Sequence, residues 1–125
     1  MNKLTITGNL TKDPELRKTQ SGKDVCTFTV AVNRKRKVEG QPEADYFRVT
    51  AWEDRGRVCH QFLTKGKKVA VVGPVSVNVH TGQDGKTYAN LEVLAEEVEF
   101  LSPKGEQVDP QSGYTRVDNV DGLPY

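Results

Sequence analysis

Apolar residues recur at every second position in several stretches between residues 3 and 100, and one stretch, 53–63, has helical spacing instead. A period of two sends alternate side chains to opposite faces, which is the geometry of a strand and not of a helix. A chain patterned this way is committed to a sheet that buries one face and leaves the other half polar. Leu4 and Ile6 alternate with Lys3, Thr5 and Thr7 up to Gly8-Asn9. Asp13-Pro14 and Ser21-Gly22 mark the next stretch as loop. Over residues 25–33, Cys26, Phe28, Val30 and Val32 share one face, while Thr27, Thr29 and Ala31 share the other. Residues 44–52 form a third strand. Phe47, Val49 and Ala51 point to the core, and Tyr46, Arg48, Thr50 and Trp52 point away from it.

The break at 53–63 has helical spacing, with Val58, Cys59, Phe62 and Leu63 on one side. Glu53 and Asp54 stand where a helix dipole favours negative charge, and Gly66 suits the turn that ends it. Residues 69–72 are almost wholly apolar, as in a strand covered on both faces, and Gly73-Pro74 bends or interrupts it. Val75, Val77 and Val79 then alternate with Ser76, Asn78 and His80. Gly82-Gln83-Asp84-Gly85 is a hairpin turn, and the return strand starts at Lys86 and carries Tyr88, Asn90 and Glu92 opposite Ala89, Leu91 and Val93. Three strands, one helix and two hairpin-linked strands make an all-β chain. A lone helix between the third and fourth strands of a five-stranded barrel is the OB-fold arrangement.

The chain has 125 residues and 35% hydrophobic content, which suits one domain with one modest core. Its net charge of +1 argues against binding nucleic acid by bulk charge alone. Residues 1–101 hold 16 of the 18 Lys and Arg and 13 of the 17 Asp and Glu, a net of +3. From Ser102 onward apolar residues almost vanish, and the net charge is −2. The expected division is a folded domain at 1–101 and a flexible acidic tail at 102–125. No apolar run approaches the ~20 residues of a membrane span, and the first residues lack the long apolar stretch of a secretory signal. The expectation is a cytoplasmic protein without a membrane partner. Cys26 and Cys59 sit among apolar residues and read as buried, reduced thiols.

Nothing in the pattern calls for catalysis. His60 and His80 have no convincing partner in sequence, and no Cys/His cluster has zinc spacing. No glycine-rich loop precedes a helix as a phosphate cradle requires, and no metal or cofactor is implied. Glu96, Glu97 and Glu99 read as a solvated edge. Single-stranded nucleic acid, by contrast, needs cations for its phosphates and flat rings for its unstacked bases. Tyr46, Arg48 and Trp52 share one strand face. His80 and Tyr88 lie on the corresponding face of the hairpin, with Asn78 and Lys86 nearby, and Arg34, Lys35, Arg36 and Lys37 form a cationic loop. Trp52 also fits a core residue at a strand end, Tyr88 a sheet residue packed on its neighbour, and the cationic loop a solvated one.

The chain resembles the bacterial single-stranded DNA-binding protein family, including members carried by phages and mobile elements. Residues 2–17, with Gly8-Asn9-Leu10 and Asp13-Pro14-Glu15, are similar to its first strand and the segment after it. Residues 28–34 are similar to its second strand, and Leu63-Thr64-Lys65-Gly66 to its helix exit. Asp45-Tyr46-Phe47-Arg48-Val49-Thr50-Ala51-Trp52 is similar to the strand where the family places DNA-stacking aromatics near both ends, and Tyr46 and Trp52 match those places. The resemblance covers about residues 2–101. It implies an OB-fold, sequence-tolerant binding of single-stranded DNA, and usually a homotetramer. The family ends in an acidic run and an aliphatic-proline-aromatic tip that recruits DNA replication, repair and recombination proteins. Asp118, Asp121, Leu123, Pro124 and Tyr125 keep that pattern with fewer acids. Where relatives often carry an aromatic, this chain has Arg34, Lys35, Arg36 and Lys37, and His80 stands near a place where some have tryptophan. Fewer rings and more cations imply a steeper salt dependence than in an aromatic-rich relative. The competing readings are a primosome-type OB protein, an OB adaptor that binds only protein, and, last, an OB-fold hydrolase.

Overall fold

The computed structural model describes residues 1–102. It is mostly strand: β1 (Leu4–Leu10), β2 (Glu15–Lys18), β3 (Asp24–Asn33), β4 (Ala44–Trp52), α1 (Glu53–Phe62), β5 (Lys68–Gly73), β6 (Val75–Thr81), β7 (Thr87–Leu94) and β8 (Glu97–Phe100). The strands pair in the order β6-β7-β4-β3-β1-β5-β8, with β2 beside β3. All pairs are antiparallel except β4 with β7, which run parallel from Phe47↔Leu91 to Thr50↔Leu94.

The alternation predicts the core face correctly. Cys26, Phe28, Val30, Val49, Ala51, Val69, Val71 and Val93 are all buried, and Ile6, Leu10 and Leu63 join them. Each fully buried valine contributes roughly 1.5–3 kcal/mol of transfer free energy, so these positions hold the sheet together. Cys26 and Cys59 lie in this cluster as free thiols. Helix α1 docks on β3 and β4 through its smallest residue. A Cβ on Gly56 would sit 2.4 Å from the Ala51 carbonyl oxygen and 3.2 Å from the Cys26 Cβ. No other side chain permits that approach without moving the helix. Arg57 then reaches the buried Asp24 carboxylate at 2.5 Å, and Lys18 of β2 reaches it at 2.8 Å. This cluster pins the helix to the start of β3.

Four expectations need correction. The stretch between Asp13 and Gly22 is not all loop, because Glu15–Lys18 forms β2 and pairs with the Asp24–Thr27 half of β3. Only Leu16 turns inward there, so no apolar alternation announces the strand. The expected five strands are eight, because β2 is added, Pro74 separates β5 from β6, and Ala95-Glu96 separates β7 from β8. The pairing is an open path and not a closed barrel. Its limbs approach through single bonds at residues 94–96, Leu94 N–H to the Pro74 carbonyl (3.0 Å) and Glu96 N–H to the Val72 carbonyl (2.8 Å), with no ladder between β5 and β7. Finally, Val58 and Phe62 of α1 are exposed. Only Gly56 and Cys59 of the helix are buried, with Leu63 just beyond it.

The β6–β7 hairpin also departs from a simple inside–outside pattern. Its parallel contact with β4 ends at Leu91, and beyond that the two strands run on without a third neighbour. Val77 and Val79 alternate as predicted but are each 60% exposed, since the arm projects past the sheet. No helix among the described residues is long and apolar enough to cross a membrane. Residues 103–125, and with them the tip formed by Asp118, Asp121, Leu123, Pro124 and Tyr125, lie outside the described residues.

Candidate nucleic-acid interface

The polar side of β4 is the axis of the candidate site. Tyr46, Arg48 and Trp52 project from the side of the sheet opposite the core, and all three are exposed, Tyr46 at 58% and Trp52 at 38%. Six residues separate the two rings, so they stand about 20 Å apart along the strand at ~3.3 Å per residue. Trp52 occupies the strand-to-helix corner. The next residue, Glu53, has φ = 55°, a left-handed conformation that a non-glycine residue adopts only when its surroundings impose it. That corner also opens the Trp52 side onto a cavity of about 600 Å3 between α1 and β8, walled by Arg55, Val58 and Phe100.

The register carries this face across the sheet. Thr29 pairs with Arg48, Arg48 with Glu92, and Glu92 with Ser76, so one polar row spans β3, β4, β7 and β6. Asn78 follows on β6 and donates to the Glu92 carboxylate at 3.2 Å. His80 and Tyr88 are cross-strand partners farther out on the arm, with ring centroids 5.7 Å apart and planes 27° from parallel. Tyr88 donates its hydroxyl to Asp84 at 2.5 Å, and Asp84 also accepts the Lys86 backbone N–H at 3.0 Å. These bonds, the phenol donation first, lower the Asp84 carboxyl below the usual carboxylate range and raise the Tyr88 phenol. Lys86 is exposed beside this turn.

The cationic loop is less free than its sequence suggests. Arg34 gives Asp45 two hydrogen bonds, from Nε at 3.1 Å and from Nη2 at 2.7 Å. This pairing raises the guanidinium and holds Asp45 below the ordinary carboxylate range. The Arg34 backbone N–H bonds to the Glu43 carbonyl at 2.9 Å, closing the loop at its base. Lys37 lies 3.4 Å from the Glu43 carboxylate. Lys35 and Arg36 are exposed and form no ion pair among the described residues. Arg48 is likewise unpaired there.

The residues expected to act together therefore fall into three groups. Tyr46, Arg48 and Trp52 share the sheet face; Asn78, His80 and Tyr88 continue it along the arm; Arg34, Lys35, Arg36 and Lys37 flank it near Tyr46, with two of the four engaged by acids. Several neighbours of Arg48 escaped the sequence reading. Lys12, Thr27 and Thr29 gather with Glu15 around it at a small cavity of about 100 Å3. Thr27 and Thr29 were legible as outward residues, but a hydroxyl carries no signal of its own. Lys12 and Glu15 come close only because β2 folds back on β3. Among the described residues, no cluster of three or more His, Cys, Asp or Glu side chains could hold a metal ion.

Fold and face together define a small sheet protein with an open surface of rings, cations and polar groups in place of an enclosed pocket. Comparison with known proteins gives that class a family. The model of the single-strand binding protein family matches residues 1–101. A single-stranded DNA-binding protein of Bacillus cereus is 42% identical over 111 residues, 86% of this chain and 65% of that protein. Single-stranded DNA-binding protein 3 of Listeria innocua is 43% identical over 105 residues, 83% of this chain and 66% of that protein. Single-stranded DNA-binding protein 2 of Clostridium acetobutylicum is 38% identical over 134 aligned positions, the full length of both. The chain thus spans slightly under two thirds of the length of the first two relatives, and all of the third. The chain belongs to the single-strand binding protein family.

Proposed function

We propose that this protein binds single-stranded DNA without strong sequence preference, holding it across the outer face of β4 and along the β6–β7 arm. The observation that carries the reading is the exposure of Tyr46, Arg48 and Trp52 on one side of a single strand. Rings placed there offer stacking surfaces, and Arg48, Lys35, Arg36 and Lys86 offer charge to the phosphates. Glu92, in the middle of the row, keeps phosphates toward the rim and leaves bases over the centre. The architecture is an OB-fold that is elaborated by β2 and the projecting arm, and the protein is not an enzyme.

The protein works as a homo-oligomer, a tetramer by the resemblance. Supporting this, β1 is paired toward β3 only at Asn9 and Leu10, so the rest of that edge is available to a second copy. The tail segment with Asp118, Asp121, Leu123, Pro124 and Tyr125 recruits replication, repair and recombination proteins in the cytoplasm; its acids and its aliphatic-proline-aromatic run fit an apolar pocket with a basic rim. Anisotropy of a labelled dT oligomer tests the DNA reading. Binding that weakens for Arg48→Ala and Trp52→Ala supports it. No binding by the full chain at low salt overturns it and leaves the protein-adaptor reading.

A further inference from the structure

The tip of the β6–β7 arm carries an acid where a DNA-holding surface has least use for one. Asp84 lies in the turn between Gly82 and Gly85 and its carboxylate is bonded on both sides. One oxygen accepts the Lys86 backbone N–H at 3.0 Å, and the other accepts the Tyr88 hydroxyl at 2.5 Å. The phenol ring lies against the turn backbone. A Cβ on Gly82 would come within 2.6 Å of Tyr88 Cε2, so only glycine leaves room for it. His80, the cross-strand partner of Tyr88, stacks beside the ring at 5.7 Å. With 43% of Tyr88 exposed, a hydrogen bond, a glycine bed and a neighbouring ring together fix an accessible aromatic surface on an arm with no third strand.

We propose that Asp84 is a positioning residue for single-stranded DNA binding: it locks Tyr88 in place as a ready-made stacking platform at the arm's tip. This rests on the reading that the arm lies in the DNA path. Stacking a base on a free ring first requires that the ring be ordered, and a pre-fixed ring has already met that cost. The anchor is local to the turn, so the platform moves with the arm as one piece. The proposal opposes what charge alone dictates, because deleting a carboxylate near phosphates strengthens binding by electrostatics.

That opposition makes the test decisive. The full chain is titrated with labelled dT oligomer at two salt concentrations, as wild type, Asp84→Ala, Asp84→Asn, Tyr88→Phe and the Asp84→Ala/Tyr88→Phe pair. Circular dichroism melting checks that each is folded. Losing one stacked ring weakens binding roughly 5- to 150-fold, and mispositioning it loses part of that. Asp84→Ala is expected to weaken binding about three- to tenfold with an unchanged salt slope. Asp84→Asn, whose single amide oxygen can accept from the Tyr88 hydroxyl or the Lys86 N–H but no longer offers each its own oxygen, is expected to weaken binding less than Asp84→Ala. Tyr88→Phe should weaken binding as Asp84→Ala does, and the pair should be no worse than either alone. If Asp84→Ala leaves affinity unchanged, or if Asp84→Ala and Asp84→Asn both tighten binding as removal of a repulsive charge would, the proposal is overturned. Arg48→Ala and Trp52→Ala serve as separate arms. Should they also leave affinity unchanged, the DNA-face reading itself fails, which is a different result from failure at Asp84 alone.

Discussion

At the scale of single residues, the rings and the buried ion cluster make separable predictions. A base stacked on an aromatic is worth about 1–3 kcal/mol, so Tyr46→Ala and Trp52→Ala should each weaken oligo-dT binding by roughly 5- to 150-fold. Neither ring belongs to the core cluster, so melting temperature should move little by comparison, and a joint reading of affinity and melting checks this. Asp24 behaves oppositely. Its carboxyl is lowered by hydrogen bonds from Lys18 and then Arg57. A depressed acid stabilises the fold above the unfolded-state value near 3.9 and ceases to do so as pH falls through its lower folded value. The advantage of wild type over Asp24→Asn in urea midpoint is therefore expected at pH 7 and should shrink steadily below about pH 4. The two thiols provide a third handle. Burial pushes Cys26 up to about 11 and Cys59 up to about 12. A thiol reagent at pH 8 should leave both unmodified in the native protein and label both once denaturant opens the core. Rapid labelling of either thiol under native conditions contradicts their placement.

At the scale of elements, the strands that alternate cleanly were readable, and those that lean on another strand were not; β5, expected to be covered on both faces, buries Val69 and Val71 but leaves Ala70 and Val72 half-buried. Residues 44–52 were legible to the residue because Phe47, Val49 and Ala51 alternate strictly with polar and aromatic partners. Strand β2 was hidden because Leu16 is its only inward residue and its ladder exists only once β3 is in place. The outer arm misled in another way: Val77 and Val79 have the right period, but no element lies beneath them. Helix α1 was found by its spacing, yet its docking residue is Gly56, which no apolar pattern marks. Gly56→Ala is expected to push the helix from β4 and destabilise the fold by about 1–3 kcal/mol through overpacking. Chemical denaturation measures this, and a neutral substitution rules out the close seat against the Ala51 carbonyl.

At the scale of the whole molecule, charge that looks uniform in sequence is unevenly available in space. Arg34, Lys35, Arg36 and Lys37 read as four equivalent cations, but Arg34 faces Asp45 and Lys37 faces Glu43. Those acids lie eleven and six residues away along the chain, and no local rule links them to the loop. Each phosphate contact on a single strand contributes a salt slope of roughly −0.7. Lys35→Ala with Arg36→Ala is therefore expected to flatten the slope by about 1.4, while Arg34→Ala flattens it by less and disturbs the loop. Titrations across a tenfold range of salt compare them directly. The face itself was largely legible, since alternation alone put Tyr46, Arg48 and Trp52 together; the Glu92 row and the Lys12 neighbourhood needed the register. The central claim is that this face holds single-stranded DNA, and Trp52, the chain's one tryptophan, reports on it without a label. Titrating the full chain with oligo-dT at low salt should quench Trp52 emission strongly and saturably, with the quench reversed by added salt. Tight binding of oligo-dT with no change in Trp52 emission contradicts the placement of DNA on this face, and no binding at all contradicts the function.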